Sequence, residues 1–564
     1  MDKYQNLLIK WCDALLLSQI TDESDPYYGG FRCEADEIVH GRADNAIYPL
    51  VFAYTLTKER KYLSGARMLL TFRKKLTEDT GAVHNDFTSE WRGITAFSAI
   101  NLLKTLLYFG EDLPHDLRAE IENCARASAK WVHDNMVIGF HANVNYYCAA
   151  AEVNALYDKL YHDGKYRAQA HELIEYALSL FTENGFLSGE AQPHDGKSPR
   201  GCLPIDVGYV VEESLPCLIE AATILGDEYA LEILTKNARK LLDFMLPDGG
   251  WDNSFGIRNN KWTYYGSRTS DGVIGAFSEL GKRDAIFIEA AERTYEILQN
   301  CTHGGKLYGG RYYYENGQPA CIHHTFCHAC ALADAIRARI TEPKDRIALP
   351  CDEKGIGYRY YPEIDTYKIH AGEYLATVTG YDYATYTYPN GAAHAGGGTI
   401  SLLYKQGRGP MIAGSVYDYR TTEKNNMQLP TDAIRHATLL MRAEYEKGGV
   451  KYATCLDKKP KILVCTDKDG VFVLVKSHFY EAETQTAEDP DRVATFSYHF
   501  SPSGVEIHVA DPGDARFVLP IVKGMGEIVT KNAFEKNEIF FLTGGFPAEE
   551  YVFNGGDDLA IKII

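Results

Sequence analysis

No stretch of this chain is apolar over the roughly 20 residues that a membrane-spanning helix needs, so no such helix is expected. Positive charge is also scarce. The 58 Lys and Arg against 77 Asp and Glu leave a formal charge of −19, which argues against nucleic acid or an anionic membrane as the main partner. An anionic sugar held by a few local Arg and Lys groups remains compatible with that balance. No Gly-rich phosphate loop follows a strand and opens a helix, so neither a nucleotide site nor an organic cofactor is expected. The opening residues, MDKYQNLLIKWCDALLLSQI, read as an amphipathic helix carrying Asp2 and Asp13. They lack the basic start, apolar block and small-residue cleavage site of a secretory signal. The 13 Cys are odd in number and scattered, the pattern of reduced thiols. Together these features make the cytoplasm the expected compartment.

What the chain does have is aromatic side chains, 12% of the total, led by 39 Tyr. Its 564 residues exceed a single core, which saturates at roughly 250–300 residues. Residues 1–342 show apolar positions at helical spacing almost without interruption, as at Leu102, Leu103, Leu106 and Leu107. The expected helices are 3–20, 44–57, 60–77, 92–109, 114–135, 146–162, 165–182, 207–225, 228–245, 271–280, 283–299 and 323–341. Short links alternate with long ones, which suits an (α/α) toroid of about six helix pairs with its long loops gathered at one end. Residues 343–357 read as a linker. From 358 to 564, alternating β-branched runs and the turn signals Lys468-Asp469-Gly470 and Pro502-Ser503-Gly504 predict an antiparallel β-sandwich.

The long loops hold the unusual residues. They are PYYGGFR (26–32), HNDFTSEWRG (84–93), GFHANVNYY (139–147), the segment 185–209, DGGWDNSFGIRNNKWTYYGSRTSDG (248–272) and GGRYYYENGQPACIHH (309–324). Loops this long are usually functional or disordered, and these are too aromatic for disorder. Aromatic faces cover the C–H side of a sugar ring, while forked polar groups read its hydroxyls or a carboxylate. On that ground Trp91, Arg92, Glu190, Trp251, Asp252, Trp262, His323 and His324 are expected substrate contacts. In CIHHTFCHAC (321–330), His323 with Cys327 and His324 with His328 have the four-residue spacing of a zinc pair. With no second pair elsewhere, core thiols are the expectation and no metal is assigned.

Two places resemble motifs of the heparinase II/III-like and alginate-lyase-like polysaccharide lyases, and the toroid-then-sandwich order resembles them over the whole length. YPNGAAHAGGGTISLLYKQGRGPMIAGSVYDY (388–419) resembles the segment that opens their sandwich. The resemblance implies that His394 faces the cleft. NVNYYCAAAEVNAL (143–156) and IDVGYVVEESLPCL (205–218) resemble the segments around their carboxylate-neutralising Asn and the helix before their catalytic Tyr. Asn145, or else Asn143, takes the Asn place; Pro216-Cys217 stand where the Tyr is expected.

Such an enzyme cleaves at C4 of a uronic acid by β-elimination, and an acidic oligo- or polysaccharide is the implied partner. The C5 proton is too weakly acidic to leave until the neighbouring carboxylate is neutralised, so the site needs a neutraliser, a base and an acid. Asn145 with Arg268 would neutralise. Tyr264 or Tyr265 would serve as base if a cation lowers its pKa from about 10, with Tyr209 in reserve. His194 and His394 are alternative proton carriers. Two other readings stand beside elimination. A glycoside hydrolase, such as a glucuronidase or an unsaturated-uronide hydrolase whose acids hydrate a double bond, would use a carboxyl pair drawn from Asp86, Glu90, Glu190, Asp206, Glu212, Glu213 and Asp252. A non-catalytic sugar-binding protein would need none of this chemistry.

Overall fold

The helical spacing is realised as a double ring of helices. The computed structural model describes residues 1–564 apart from 36–37, 260–261, 268–270, 384–393, 415–439, 482–483, 511–512, 541–545 and 556–557. Six helices form the inner ring: Ile47–Thr57, Thr95–Phe109, Val144–Tyr161, Leu215–Leu225, Ile274–Leu280 and Ile322–Arg337. Each packs on the next, and the last packs on the first. Each also packs on one outer helix: Arg60–Lys75, His115–Asn135, Gly164–Ser179, Glu228–Leu241, Ile286–Asn300 or Lys3–Leu17. The two rings differ as burial requires. Inner Thr95–Phe109 is buried almost all round, whereas outer His115–Asn135 buries one stripe of Leu117, Ile121, Ala125, Ala129 and Val132. The amino-terminal helix is fixed by a capping box, in which Asp2 accepts from the Gln5 amide and the Gln5 side chain accepts from the Asp2 amide.

One inner helix enters irregularly. After a single α-turn at Val207–Tyr209 the chain widens into a π-turn at Val210–Ser214, then resumes as Leu215–Leu225. A π-turn inserts one residue into the helical ladder, and such turns favour functional positions. Here it buries the consecutive carboxyls of Glu212 and Glu213 inside the ring.

Apart from two short hairpins within the ring, Trp262–Thr263 with Gly266–Ser267 and Thr302–His303 with Lys306–Leu307, the described strands begin at Ile356 and build three antiparallel sheets around one apolar core. The first runs in chain order from Ile356–Tyr361 to Gly409–Ala413. Burial along Val471–His478 shows the period of two: Val471, Val473 and Val475 point inward, while Phe472, Leu474 and Lys476 face out. Both turn signals lie where antiparallel partners meet, between Lys461–Thr466 and Val471–His478 and between Val493–Ser501 and Gly504–Ala510.

Polar staples join the sandwich to the ring. Lys368 Nζ lies 2.6 Å from Asp252 Oδ2, with Thr377 donating to the same carboxylate, and Ser254 bonds Ser401 at 2.8 Å. Tyr361 donates to Asp243 at 2.6 Å, and Arg200 meets Asp365 at 2.5 Å. These contacts change the reading of residues 248–272. Trp251 and Trp262 are core, with the Trp262 indole N–H donating to the Trp251 carbonyl at 2.8 Å. Asp252 is spent on Lys368. Much of this stretch holds helices and sandwich together, and its two tryptophans have no face left for a sugar.

Candidate active site

Side chains from all around the ring converge at the end where the inner helices begin. Arg42 comes from the 3-10 turn Gly41–Ala46, Asn145 from the first turn of Val144–Tyr161, and Glu212 and Glu213 from the π-turn. Asp271 precedes Ile274–Leu280, and His323, His324, Cys327 and His328 lie along Ile322–Arg337. Asn145 Nδ2 donates to Glu213 Oε2 at 2.8 Å, while Arg42 Nη1 lies 3.5 Å from Glu213 Oε1 and Nη2 bonds Asp271. Asn145 is not the helix cap. Asn143 holds that position, and the Asn145 side chain reaches across the ring.

The electrostatics follow from burial. Desolvation pushes the Glu213 carboxyl up to about 8 against the pull of Arg42, with Asp271 adding to the rise. Burial thus favours the protonated form of Glu213, while Arg42 and the Asn145 hydrogen bond favour its carboxylate. Burial opposes the charge of Arg42, but Asp271, Cys327 and Glu213 outweigh it and keep the guanidinium charged. Its plane lies 4.1 Å from the centre of the Phe97 ring.

A second layer surrounds this trio. His328 Nε2 lies 3.6 Å from Glu212 Oε1, and its Nδ1 bonds the His324 carbonyl at 3.0 Å. Gly266 presses on Glu212 so closely that a Cβ there would fall 1.9 Å from Glu212 Cδ. The neighbouring Tyr265 reaches His324 Nδ1 at 2.6 Å. Desolvation pushes Tyr265 well above the ordinary phenol range, followed by the Cys301 and Glu212 charges. It is a phenol here rather than the lowered-pKa base expected from sequence. His323 lies against His40 with ring centres 4.4 Å apart and planes tilted by 46°, and burial lowers its pKa far below the usual imidazole range. Arg258 lies 3.4 Å from Glu190 and 4.4 Å above the Tyr209 ring. The rim above is aromatic. Trp91, 40% exposed, donates its indole N–H to Tyr146 Oη at 3.2 Å.

Several residues singled out in the sequence stand elsewhere. Tyr264 turns away from Tyr265 and donates to Asp248 at 2.9 Å, its ring edge-on to Phe546. His194 has Tyr176 on Nδ1 at 2.8 Å and the Ala142 carbonyl on Nε2 at 2.8 Å, so it clamps the loop before Asn143. His394 lies at the ring–sandwich junction against Tyr381, its two nitrogens against the Ala395 and Tyr383 carbonyls. Burial lowers the pKa of both histidines. Arg92 sits beside Trp91 but is paired with Glu78 at 2.5 Å. Arg268 lies outside the described residues.

Of the hydrolase carboxyls, Glu212 and Glu213 lie together in the ring with Glu190 near them, and the others stand apart. Asp206 accepts from the Tyr209 and Arg258 amides and from Asn253, Asp86 closes a turn on Thr88, and Glu90 is exposed. Among the described residues, no group of three or more His, Cys, Asp or Glu is arranged to hold a metal ion. Arg42, Asp271 and Tyr146 were missed in the sequence. Arg42 sits in a short polar segment that reads as a plain connection and Asp271 at the end of the long 248–272 loop, and only the ring brings them to Glu213.

Residues 8–352 match the ulvan lyase N-terminal domain, and residues 358–541 match the ulvan lyase C-terminal domain. A broad-specificity ulvan lyase of Formosa agariphila is 32% identical over 533 residues, covering 91% of this chain and 82% of the relative. Among solved structures, the GH76A α-1,6-mannanase of Salegentibacter sp. aligns with 60% of this chain and 100% of its own at 13% identity and TM-score 0.44. A cellobiose 2-epimerase of Bacillus thermoamylovorans aligns over the same shares at 14% identity and TM-score 0.44. The two domain matches, in order along the chain, and the curated relative show that this protein is a polysaccharide lyase of the ulvan lyase family.

Proposed function

We propose that this enzyme cleaves ulvan, the polysaccharide for which its Formosa agariphila relative is named a lyase, by β-elimination beside a uronate whose carboxylate rests on Arg42, Asn145 and Glu213. The observation that carries this reading is the state of Glu213: a buried carboxyl, pushed up to about 8, held by Asn145 at 2.8 Å with the Arg42 guanidinium beside it. A protonated carboxyl donates a hydrogen bond to a carboxylate, and a buried guanidinium supplies the charge. As the C5 proton leaves, negative charge spreads onto the substrate carboxylate. Donors already fixed around it in a dry site need no reorganisation at that moment, and one such donor is typically worth about 10²–10³ in rate. The kinship with heparinase-type and alginate-type lyases forms part of the same proposal; the Asn145–Glu213 bond supports it.

The test is incubation of the enzyme with ulvan and with the same polymer after its uronate carboxyls have been reduced to alcohols. The expected result is chain shortening of the native polymer alone. Equal cleavage of both would remove the carboxylate-binding role from this cluster.

A further inference from the structure

The neutralising cluster leaves open which group moves the C5 proton, and the geometry points to Tyr146 as that group, with Trp91 positioning it. This inference rests on the elimination reading above. Among the described tyrosines around the cluster, Tyr146 is only partly covered, whereas the others are buried. Tyr209 is 3% exposed beneath Arg258, Tyr264 is 1% exposed on Asp248, and Tyr265 is 0% exposed on His324. Tyr146 is half-buried, between the exposed Trp91 and the buried Glu213. It follows Asn145 on the first turn of the same helix, and its ring lies edge-on to Phe97 at 5.9 Å, the ring that also carries Arg42. The first turn of one helix therefore carries both the Asn145 amide and the Tyr146 phenol.

The surroundings of the phenol fit both halves of the task. Burial and then the Glu213 charge raise its pKa, while Arg258 and the indole N–H of Trp91 pull it down. Arg42 interacts with it across Phe97, and Tyr209 adds to the rise. The phenolate is thus a minor species at neutral pH and a strong base once formed, which suits a weakly acidic C–H bond. Trp91 Nε1, 3.2 Å from Tyr146 Oη, is a donor that stabilises the charged form. Its placement is enforced by Gly93, where a Cβ would lie 2.4 Å from the Trp91 ring and 2.6 Å from that of Tyr146.

The step balances without a co-reactant. The C5–H bond breaks, its proton passes to the Tyr146 oxygen, and the bonding pair forms the C4=C5 double bond as the C4–O bond breaks. The same hydroxyl then gives that proton to the departing oxygen, which restores the phenolate.

Tyr146→Phe removes one oxygen and should lower kcat by about 10²–10⁴, the usual worth of a positioned acid–base group. The affinity for a uronate oligosaccharide product should stay within about threefold, because uniform binding is untouched. Trp91→Phe, which keeps a ring but loses the donor, should move the rising limb of the kcat–pH profile to higher pH. Retention of more than about a tenth of kcat by Tyr146→Phe would overturn the assignment, since a general base is worth more than that. A Trp91→Phe loss that is uniform across pH would overturn the positioning role. Absence of any unsaturated product from the unaltered enzyme would instead defeat the elimination reading before a variant is made.

Discussion

In the proposed mechanism, Glu213 is the residue whose ionisation decides whether the site can receive a carboxylate. Its pKa is raised to about 8 by burial. Below that pH it is neutral and donates, and above it a second negative charge faces the substrate. KM for ulvan should therefore be flat below about pH 8 and rise about tenfold per pH unit above it, as one bound proton requires. Glu213→Gln should keep a neutral donor and abolish that dependence, read from KM across a pH series. Tyr264 and Tyr265 make the companion case. Their alternation in sequence said that one would face the site and the other the packing, without saying which; Asp248 claims Tyr264 and His324 claims Tyr265. Tyr264→Phe should leave kcat unchanged while costing about 1–3 kcal/mol of stability, because buried Asp248 loses a donor. Thermal unfolding beside a rate assay checks both parts.

At the scale of elements, helices were far more legible than the site they carry. The twelve expected spans each overlap one of the observed helices, because a 3.6-residue period repeats many times within a helix. The π-turn was invisible, since one extra residue barely disturbs that period, yet it is what turns Glu212 and Glu213 inward together. Long loops were correctly seen as unusual, but aromatic content alone does not separate a sugar platform from a domain staple. Trp91 lies exposed on the rim, while Trp251 and Trp262 are core. The hairpin tip depends on Gly266, whose φ of +157° and contact with Glu212 leave no room for a methyl group. Gly266→Ala should displace Glu212, lowering kcat more than it raises KM, and circular dichroism should show the helical ring intact.

For the whole molecule, the ring supplies the chemistry and the sandwich fixes the loops that frame it. The Asp252–Lys368 pair crosses that junction and is buried on both sides. Lys368→Met would leave Asp252 without its countercharge at a cost of about 3–5 kcal/mol, visible as a lower unfolding midpoint. The sequence pattern separated a helical part from a strand-rich part because the periods change from 3.6 to 2. It did not show that Asp252 belonged to their seam, since its partner Lys368 lies 116 residues away. Elimination and hydrolysis both shorten a polymer, but only elimination leaves an unsaturated uronate at the new end. The direct measurement follows ultraviolet absorbance and reducing ends together as the enzyme digests ulvan. One absorbing product for each new reducing end is the predicted result; reducing ends that accumulate without absorbance would contradict elimination at the Arg42–Asn145–Glu213 site.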